Sequence, residues 1–146
     1  MNIEKNKIAV IYWSGSENTE IMAEKISNGI DQGGVDADLY NVSDFPPDKI
    51  DRYDKIAFGC PSMEGETLEQ NNFQPFFEKI EKQLKHKKVA LFGSYGWGNG
   101  EWMKDWEDRV KKLGSKLFDE GLIVNEFPDE ASRHACVEFG KAFASF

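Results

Sequence analysis

Within six residues, Ser14-Gly15-Ser16-Glu17-Asn18-Thr19 supplies three hydroxyls, one amide and no cation, directly ahead of a helical pattern. Backbone N–H groups at a helix N-terminus lack intrahelical partners, and the helix dipole favours negative charge there. Each charge-assisted hydrogen bond contributes about 1.5–3 kcal/mol, so several uncharged donors can hold a phosphate dianion. The loop matches neither GxxxxGK[ST] nor GxGxxG. The chemistry it fits is capture of a phosphate monoester without a metal ion. Ser, Thr and Asn are also the favoured helix N-caps, so plain capping is the competing reading.

Two further loops are chemically equipped: Pro61-Ser62-Met63-Glu64-Gly65-Glu66 and Ser94-Tyr95-Gly96-Trp97-Gly98-Asn99-Gly100. Glycines on both sides of Trp97 build a poor core but present an indole on an exposed loop, where it can stack on a flat heterocycle. Met63 offers a polarisable thioether for the opposite face. The competing roles are a cap over a sheet end for Trp97 and core filler for Met63. Taken with the phosphate loop, the pair favours a sandwiched ring. His86, in a Lys-rich turn, and His134, in the last helical pattern, read as solvated surface. Cys60 and Cys136 are far apart with no CxxC; they read as small core residues of a reduced, cytoplasmic chain without a metal site.

The elements that must position these loops alternate along the chain. KIAVIYW at 7–13, KIAFGC at 55–60 and KVALFGS at 88–94 are continuous apolar runs, the mark of strands buried on both faces. A short strand is expected at 37–42 and a fifth within 116–125. Helical stripes are carried by Met22, Ile26 and Ile30; by Phe73, Phe76, Phe77, Ile80 and Leu84; by Met103, Trp106, Val110 and Leu113; and by Ala135, Cys136, Phe139 and Phe143. Residues 43–53, with Pro46-Pro47, read as a loop with one helical turn. Strict alternation of this kind implies an α/β fold, a three-layer doubly wound sandwich with a five-stranded parallel sheet. Ligands bind outside the carboxyl ends of such strands, where the three equipped loops emerge.

Composition removes other classes. The 146 residues suit one domain, 1–146. A net charge of -8 disfavours nucleic acid and anionic lipid and steers toward basic partners. The apolar run at 8–13 is too short for a signal peptide, and no stretch approaches the ~20 apolar residues of a membrane helix.

With these segments placed, the chain resembles the flavodoxins, specifically the short-chain clostridial type. The likeness is carried by YWSGSENTE at 12–20, GCPSMEGETLE at 59–69, ALFGSYGWGNGEWM at 90–103 and IVNEFPDE at 123–130, and it spans essentially the whole chain. It implies the flavodoxin-like strand order 2-1-3-4-5, which is the order known for flavodoxins themselves. It also implies non-covalent FMN and a low-potential one-electron carrier, a ferredoxin substitute. By the same resemblance Ser14, Gly15, Ser16, Glu17, Asn18 and Thr19 bind phosphate, and Met63 and Trp97 sandwich the ring. Glu66 accepts from flavin N3–H, backbone N–H groups of Gly96, Trp97 and Gly98 address the pyrimidine edge, and Ser94 faces the ribityl phosphate side. Pro61, Ser62, Glu64, Gly65 and Tyr95 complete the two loops, and Asn125 and Glu126 fall near the flavin. The implied partners are ferredoxin/flavodoxin-NADP reductases and ferredoxin-dependent oxidoreductases, met by a monomer.

Two positions depart from the family pattern. Relatives mostly carry glycine where this chain has Glu17; if that position needs φ > 0, Glu costs roughly 1–2 kcal/mol, and FMN binding weakens. The resemblance implies that a peptide of the Met63–Glu66 turn flips to bring a carbonyl, here that of Glu64, toward flavin N5; that form needs positive φ only at Gly65, whereas the mirror turn would strain Glu64 by roughly 1–2 kcal/mol. The first form is therefore expected even before reduction, raising the first potential by roughly 40–80 mV. Reduced flavin is an anion, disfavoured between apolar faces and near Glu64, Glu66, Glu69 and Glu101. The rival readings are an FMN-dependent quinone or nitro reductase, which needs open space over the ring, and a response-regulator-like domain. The latter needs an aspartate where strands one and three end in Ser14 and Cys60-Pro61.

Overall fold

Alternate residues of the first strand, β1 (Lys7–Tyr12), enter two different cores. Ile8, Val10 and Tyr12 join one apolar cluster, whereas Ala9 and Ile11 join the other. Successive side chains of a strand point to opposite faces, so a run that is apolar throughout must be covered on both sides. The computed structural model describes residues 7–146; residues 1–6, the polar lead-in of the expected domain, lie outside the described residues.

Parallel pairing sets β2 (Asp36–Asn41), β1, β3 (Lys55–Gly59) and β4 (Lys88–Tyr95) side by side. The fifth position holds two short pieces, β5 (Lys116–Leu117) and β6 (Leu122–Asn125), both parallel to β4. The order is the expected 2-1-3-4-5. The one strand expected within 116–125 is interrupted where Asp119 takes a left-handed φ of 51°. Just beyond it, Gly121 lies so close to the Met103 thioether that a side chain would not fit.

One face of the sheet is covered by α1 (Asn18–Gln32) and α4 (Glu130–Ala144), through Met22, Ile26, Ile30, Cys136 and Phe143. The other face is covered by α2 (Phe73–Ile80) and α3 (Glu101–Lys112); Phe73 and Phe77 meet Phe58 edge-on, Trp106 meets both of them, and Trp102 joins the same cluster. The stripe expected to run to Leu84 leaves the α-helix at Ile80 and finishes in a 3-10 turn, Glu81–Leu84. Residues 42–52 contain two 3-10 segments, Val42–Asp44 and Pro47–Arg52, rather than a loop with one turn.

Ala135, expected on the buried stripe of α4, is exposed, and Gly140 is buried instead. The reason is close helix contact. A Cβ at Gly140 would overlap the Ile26 carbonyl of α1, and one at Gly29 would overlap the Val137 carbonyl of α4. Alanine favours an isolated helix over glycine by about 1 kcal/mol, but here the methyl must push two backbones apart, which costs about 1–3 kcal/mol. Gly140→Ala is therefore expected to lower the urea midpoint of the flavin-free protein. A raised midpoint would mean that α1 and α4 separate without penalty.

Candidate functional site

The carboxyl ends of β1, β3 and β4 stay hydrogen-bonded past the strands themselves. Trp13 N–H donates to the Gly59 carbonyl at 3.0 Å, Ser62 N–H to Ser94 at 2.9 Å, and Glu126 N–H to Tyr95 at 2.7 Å. The three equipped loops therefore emerge side by side. Between them lies a groove of about 460 Å³, within the range of small-molecule sites. The first loop lines it with Trp13, Gly15, Ser16 and Asn18; the second with Pro61, Ser62 and Met63; the third with Ser94, Tyr95 and Gly96, joined by Glu126.

The first loop divides its hydroxyls between structure and groove. Ser14 Oγ donates to the Ser16 carbonyl and accepts from Glu20 N–H at 3.3 Å, in the first turn of α1, whose N-cap position is Glu17. Thr19 is buried, and its Oγ1 lies 2.7 Å from Ser94 Oγ, a hydroxyl pair that ties α1 to β4. Ser16 and Asn18 face the groove. Glu17 corrects an expectation: it sits at φ -83°, ψ -3°, an ordinary right-handed conformation, so no left-handed strain attaches to it. Its side chain is exposed and does not line the groove. An uncharged donor set at a helix N-terminus is the chemistry a phosphate monoester requires.

The second loop is a tight hairpin, with Met63 N–H donating to Thr67 and Glu66 N–H to Met63, both at 2.9 Å. Positive φ falls on Gly65 (80°) and Glu66 (53°) but not on Glu64, which makes the Met63–Glu66 turn type II. Glu66 does not line the groove. Its Oε1 accepts the Glu101 N–H at 3.1 Å, at the start of α3, and its carboxylate lies over Gly98. A Cβ on Gly98 would come 2.6 Å from Glu66 Cδ, and Gly98 holds φ 90°, so glycine is required there twice over. Glu66 instead borders a second cavity, about 230 Å³, beside Trp102, Trp106 and Arg109.

Glu69, expected among the carboxylates acting on the ring, is 4% exposed and spent elsewhere. Its oxygens accept the backbone N–H groups of Asn71 (2.9 Å), Asn72 (2.7 Å) and Phe73 (2.7 Å), capping α2 and closing the loop that carries Met63.

In the third loop Trp97 is 60% exposed, one residue beyond the groove-lining Gly96. Asn125 is exposed and pairs with Tyr95, but the neighbouring Glu126, at φ 59°, is the one that reaches the groove. Both histidines are exposed. Both cysteines are buried, and burial pushes their thiols up, Cys136 to about 12. Among the described residues no group of three His, Cys, Asp or Glu is placed to hold a metal, and no helix is long and apolar enough to cross a membrane. Sequence reasoning passed over Trp13, whose place at the end of an apolar run made it look like core. It also passed over Trp102, whose indole N–H donates to the Cys60 carbonyl at 3.1 Å and fastens α3 to the end of β3.

Comparison with known proteins follows the same lines. The flavodoxin family model matches residues 10–140. The chain is 47% identical over 136 residues to the flavodoxin of Clostridium beijerinckii, covering 93% of this chain and 98% of that one. It is 42% identical over 137 residues to the flavodoxin of Megasphaera elsdenii, covering 94% and 98% respectively. The solution structure of two-electron reduced Megasphaera elsdenii flavodoxin superposes with a TM-score of 0.86 over 95% of this chain and 99% of that one.

Glu69→Gln keeps the volume but replaces a charged acceptor and turns an amide donor toward backbone donors. The substitution is expected to cost about 2–4 kcal/mol in chemical denaturation of the flavin-free protein. A loss below about 0.5 kcal/mol would show that the cap does not hold the loop.

Proposed function

The chain belongs to the flavodoxin family, and from that premise we propose that the groove at the ends of β1, β3 and β4 is where it holds FMN. The protein is an FMN-binding electron carrier and not an enzyme, and it passes electrons to partner proteins. FMN, when bound, supplies the one-electron chemistry. The observation that carries the site assignment is the meeting of three loops on one groove. One brings uncharged donors, one a thioether, and one a glycine-flanked exposed indole.

Each residue's role follows from its position. Ser16, Asn18 and the N-terminal N–H groups of α1 bind the phosphate, while Ser14, Thr19 and Ser94 hold that loop in shape. Met63 and Trp97 cover the ring and exclude water. Glu66 uses Oε1 to stay on the α3 N-terminus, which leaves Oε2 to accept a flavin N3–H. The backbone at Gly96, Trp97 and Gly98 addresses the pyrimidine edge. The Glu64 carbonyl, in a turn whose positive φ is already on Gly65, would accept a hydrogen bond from flavin N5–H in place of the long one it now accepts from the Thr67 hydroxyl at 3.5 Å. Pro61, Ser62 and Tyr95 shape the walls, and Asn125 places Glu126.

Partners are redox enzymes with basic docking faces, of the ferredoxin/flavodoxin-NADP reductase and ferredoxin-dependent oxidoreductase kinds, since a net charge of -8 steers such encounters. We place the carrier in the cytoplasm, as a monomer formed by one domain.

Stepwise reduction of the FMN-reconstituted protein, followed by its visible spectrum, tests the reading. A one-electron-reduced species distinct from both end states is expected to accumulate, with only slow NAD(P)H oxidation by the protein alone. A single two-electron transition with rapid NAD(P)H turnover would point to a reductase. Trp97→Ala is expected to weaken FMN binding about tenfold or more.

Glu17 now acts only through its charge. Glu17→Gln is expected to tighten FMN binding about two- to fivefold at low salt, with the gain fading near 0.5 M as screening shortens. A gain that ignores salt would return the cause to backbone conformation.

A further inference from the structure

Trp13 stands where the first strand hands over to the phosphate loop, and its surroundings are unusual for a strand residue. Its backbone is fixed, through its N–H, to the Gly59 carbonyl of β3. Its indole packs partly on the α2/α3 core and partly lines the groove. The loop then doubles back over it. A Cβ built on Gly15 would lie 2.8 Å from Trp13 Cη2 and 3.3 Å from Cζ3, both on the six-membered ring. Gly15 is not among the glycines with positive φ. Its backbone therefore makes no demand for glycine, and the demand comes from the indole face beneath it.

We infer that Trp13 is a positioning residue: its benzo ring is the platform on which the loop rests, and it sets the reach of Ser16 and Asn18 toward the ligand's phosphate. The selectivity of the groove for a phosphorylated over an unphosphorylated flavin then depends on a side chain that makes no polar contact with the phosphate. The inference rests on the proposed phosphate role of residues 14–19. Donors three and five residues beyond the platform move with it, and a misplacement near 1 Å is enough to cost a charge-assisted bond most of its strength.

The contact also explains why the loop can work without a lysine or arginine. Uncharged donors have short reach, so their placement must come from packing. A rigid ring under a glycine supplies such packing, because glycine has no side chain to order and an indole has only two χ angles to fix.

The experiment measures FMN and riboflavin affinities of the flavin-free protein by quenching of flavin fluorescence, for wild type, Trp13→Phe, Gly15→Ala and the double variant. Phenylalanine keeps an aromatic ring against the core but removes the benzo ring that meets Gly15, so the fold is expected to persist, checked by circular dichroism. Trp13→Phe and Gly15→Ala are each expected to weaken FMN about tenfold or more, with riboflavin changed less than about threefold. The double variant is expected to bind FMN more tightly than Gly15→Ala alone, because the methyl then occupies the vacated space. Equal losses for both flavins would assign Trp13 to the ring and overturn the inference, as would a double variant no better than Gly15→Ala. Wild-type protein with no preference for FMN over riboflavin would overturn the phosphate assignment itself, a separate failure.

Discussion

Strands β1, β3 and β4 are apolar on both faces, so polar chemistry is left only their ends, and pairing sets those ends level. Tyr12 stands opposite Gly59, and Gly59 opposite Phe92. Small residues keep this level dense. A side chain at Gly59 would collide with the Phe92 ring, and one at Gly93 with the Cys60 carbonyl, to which Trp102 donates. Cores packed to crystal-like density transmit displacement rather than absorb it. The groove is therefore as rigid at its floor as the sheet itself, while the loops above it carry the ligand chemistry.

Within those loops most of the strong polar groups are turned inward. Thr19 and Glu69 are each engaged by a neighbour, and what lines the groove is uncharged save for one carboxylate: Ser16, Asn18, Ser62, Ser94 and Tyr95 with Glu126. A site with no cation and an acidic surroundings favours the uncharged ring over a negatively charged one. Glu69 contributes less to that bias than its proximity in sequence suggests, because three backbone N–H groups already answer its charge. Glu126 lines the groove, Glu66 stands beside Gly98, and Glu17, Glu64 and Glu101 are exposed.

The strands and the identity of the three loops were legible because burial on both faces leaves a continuous apolar run, and because glycines around Trp97 have no reason to exist in a core. The positive φ at Gly65 was legible for the same kind of reason: glycine takes it freely and Glu64 does not. Residue type stops short at the first loop. A serine that answers a helix N–H and a serine that lines a groove are the same letter; Ser14 and Ser16 both accept backbone N–H groups of α1, and it is the groove that reaches Ser16 and not Ser14. Glu17 misled because glycine in relatives does not imply a left-handed backbone. The neighbouring Gly15 makes the same point, since crowding by Trp13 accounts for it instead. The split of the fifth strand turns on one left-handed aspartate, Asp119, which hydrophobic periodicity does not register.

The hairpin over the groove shows how rigidity and motion are divided. Glu66 holds a left-handed backbone at φ 53°, which costs a non-glycine residue roughly 1–2 kcal/mol. Two hydrogen bonds stand against that cost, its own N–H to the Met63 carbonyl and its carboxylate to Glu101 N–H, each worth about 0.5–1.5 kcal/mol. The bridge between Met63 and Thr67 fixes the hairpin's base, and Glu66 fixes its far side to α3. Between those anchors the Glu64–Gly65 peptide has the weakest tie, a 3.5 Å hydrogen bond donated by the Thr67 hydroxyl to the Glu64 carbonyl. That peptide is the least tied point of the hairpin, while its neighbours are held by the bridge and by α3.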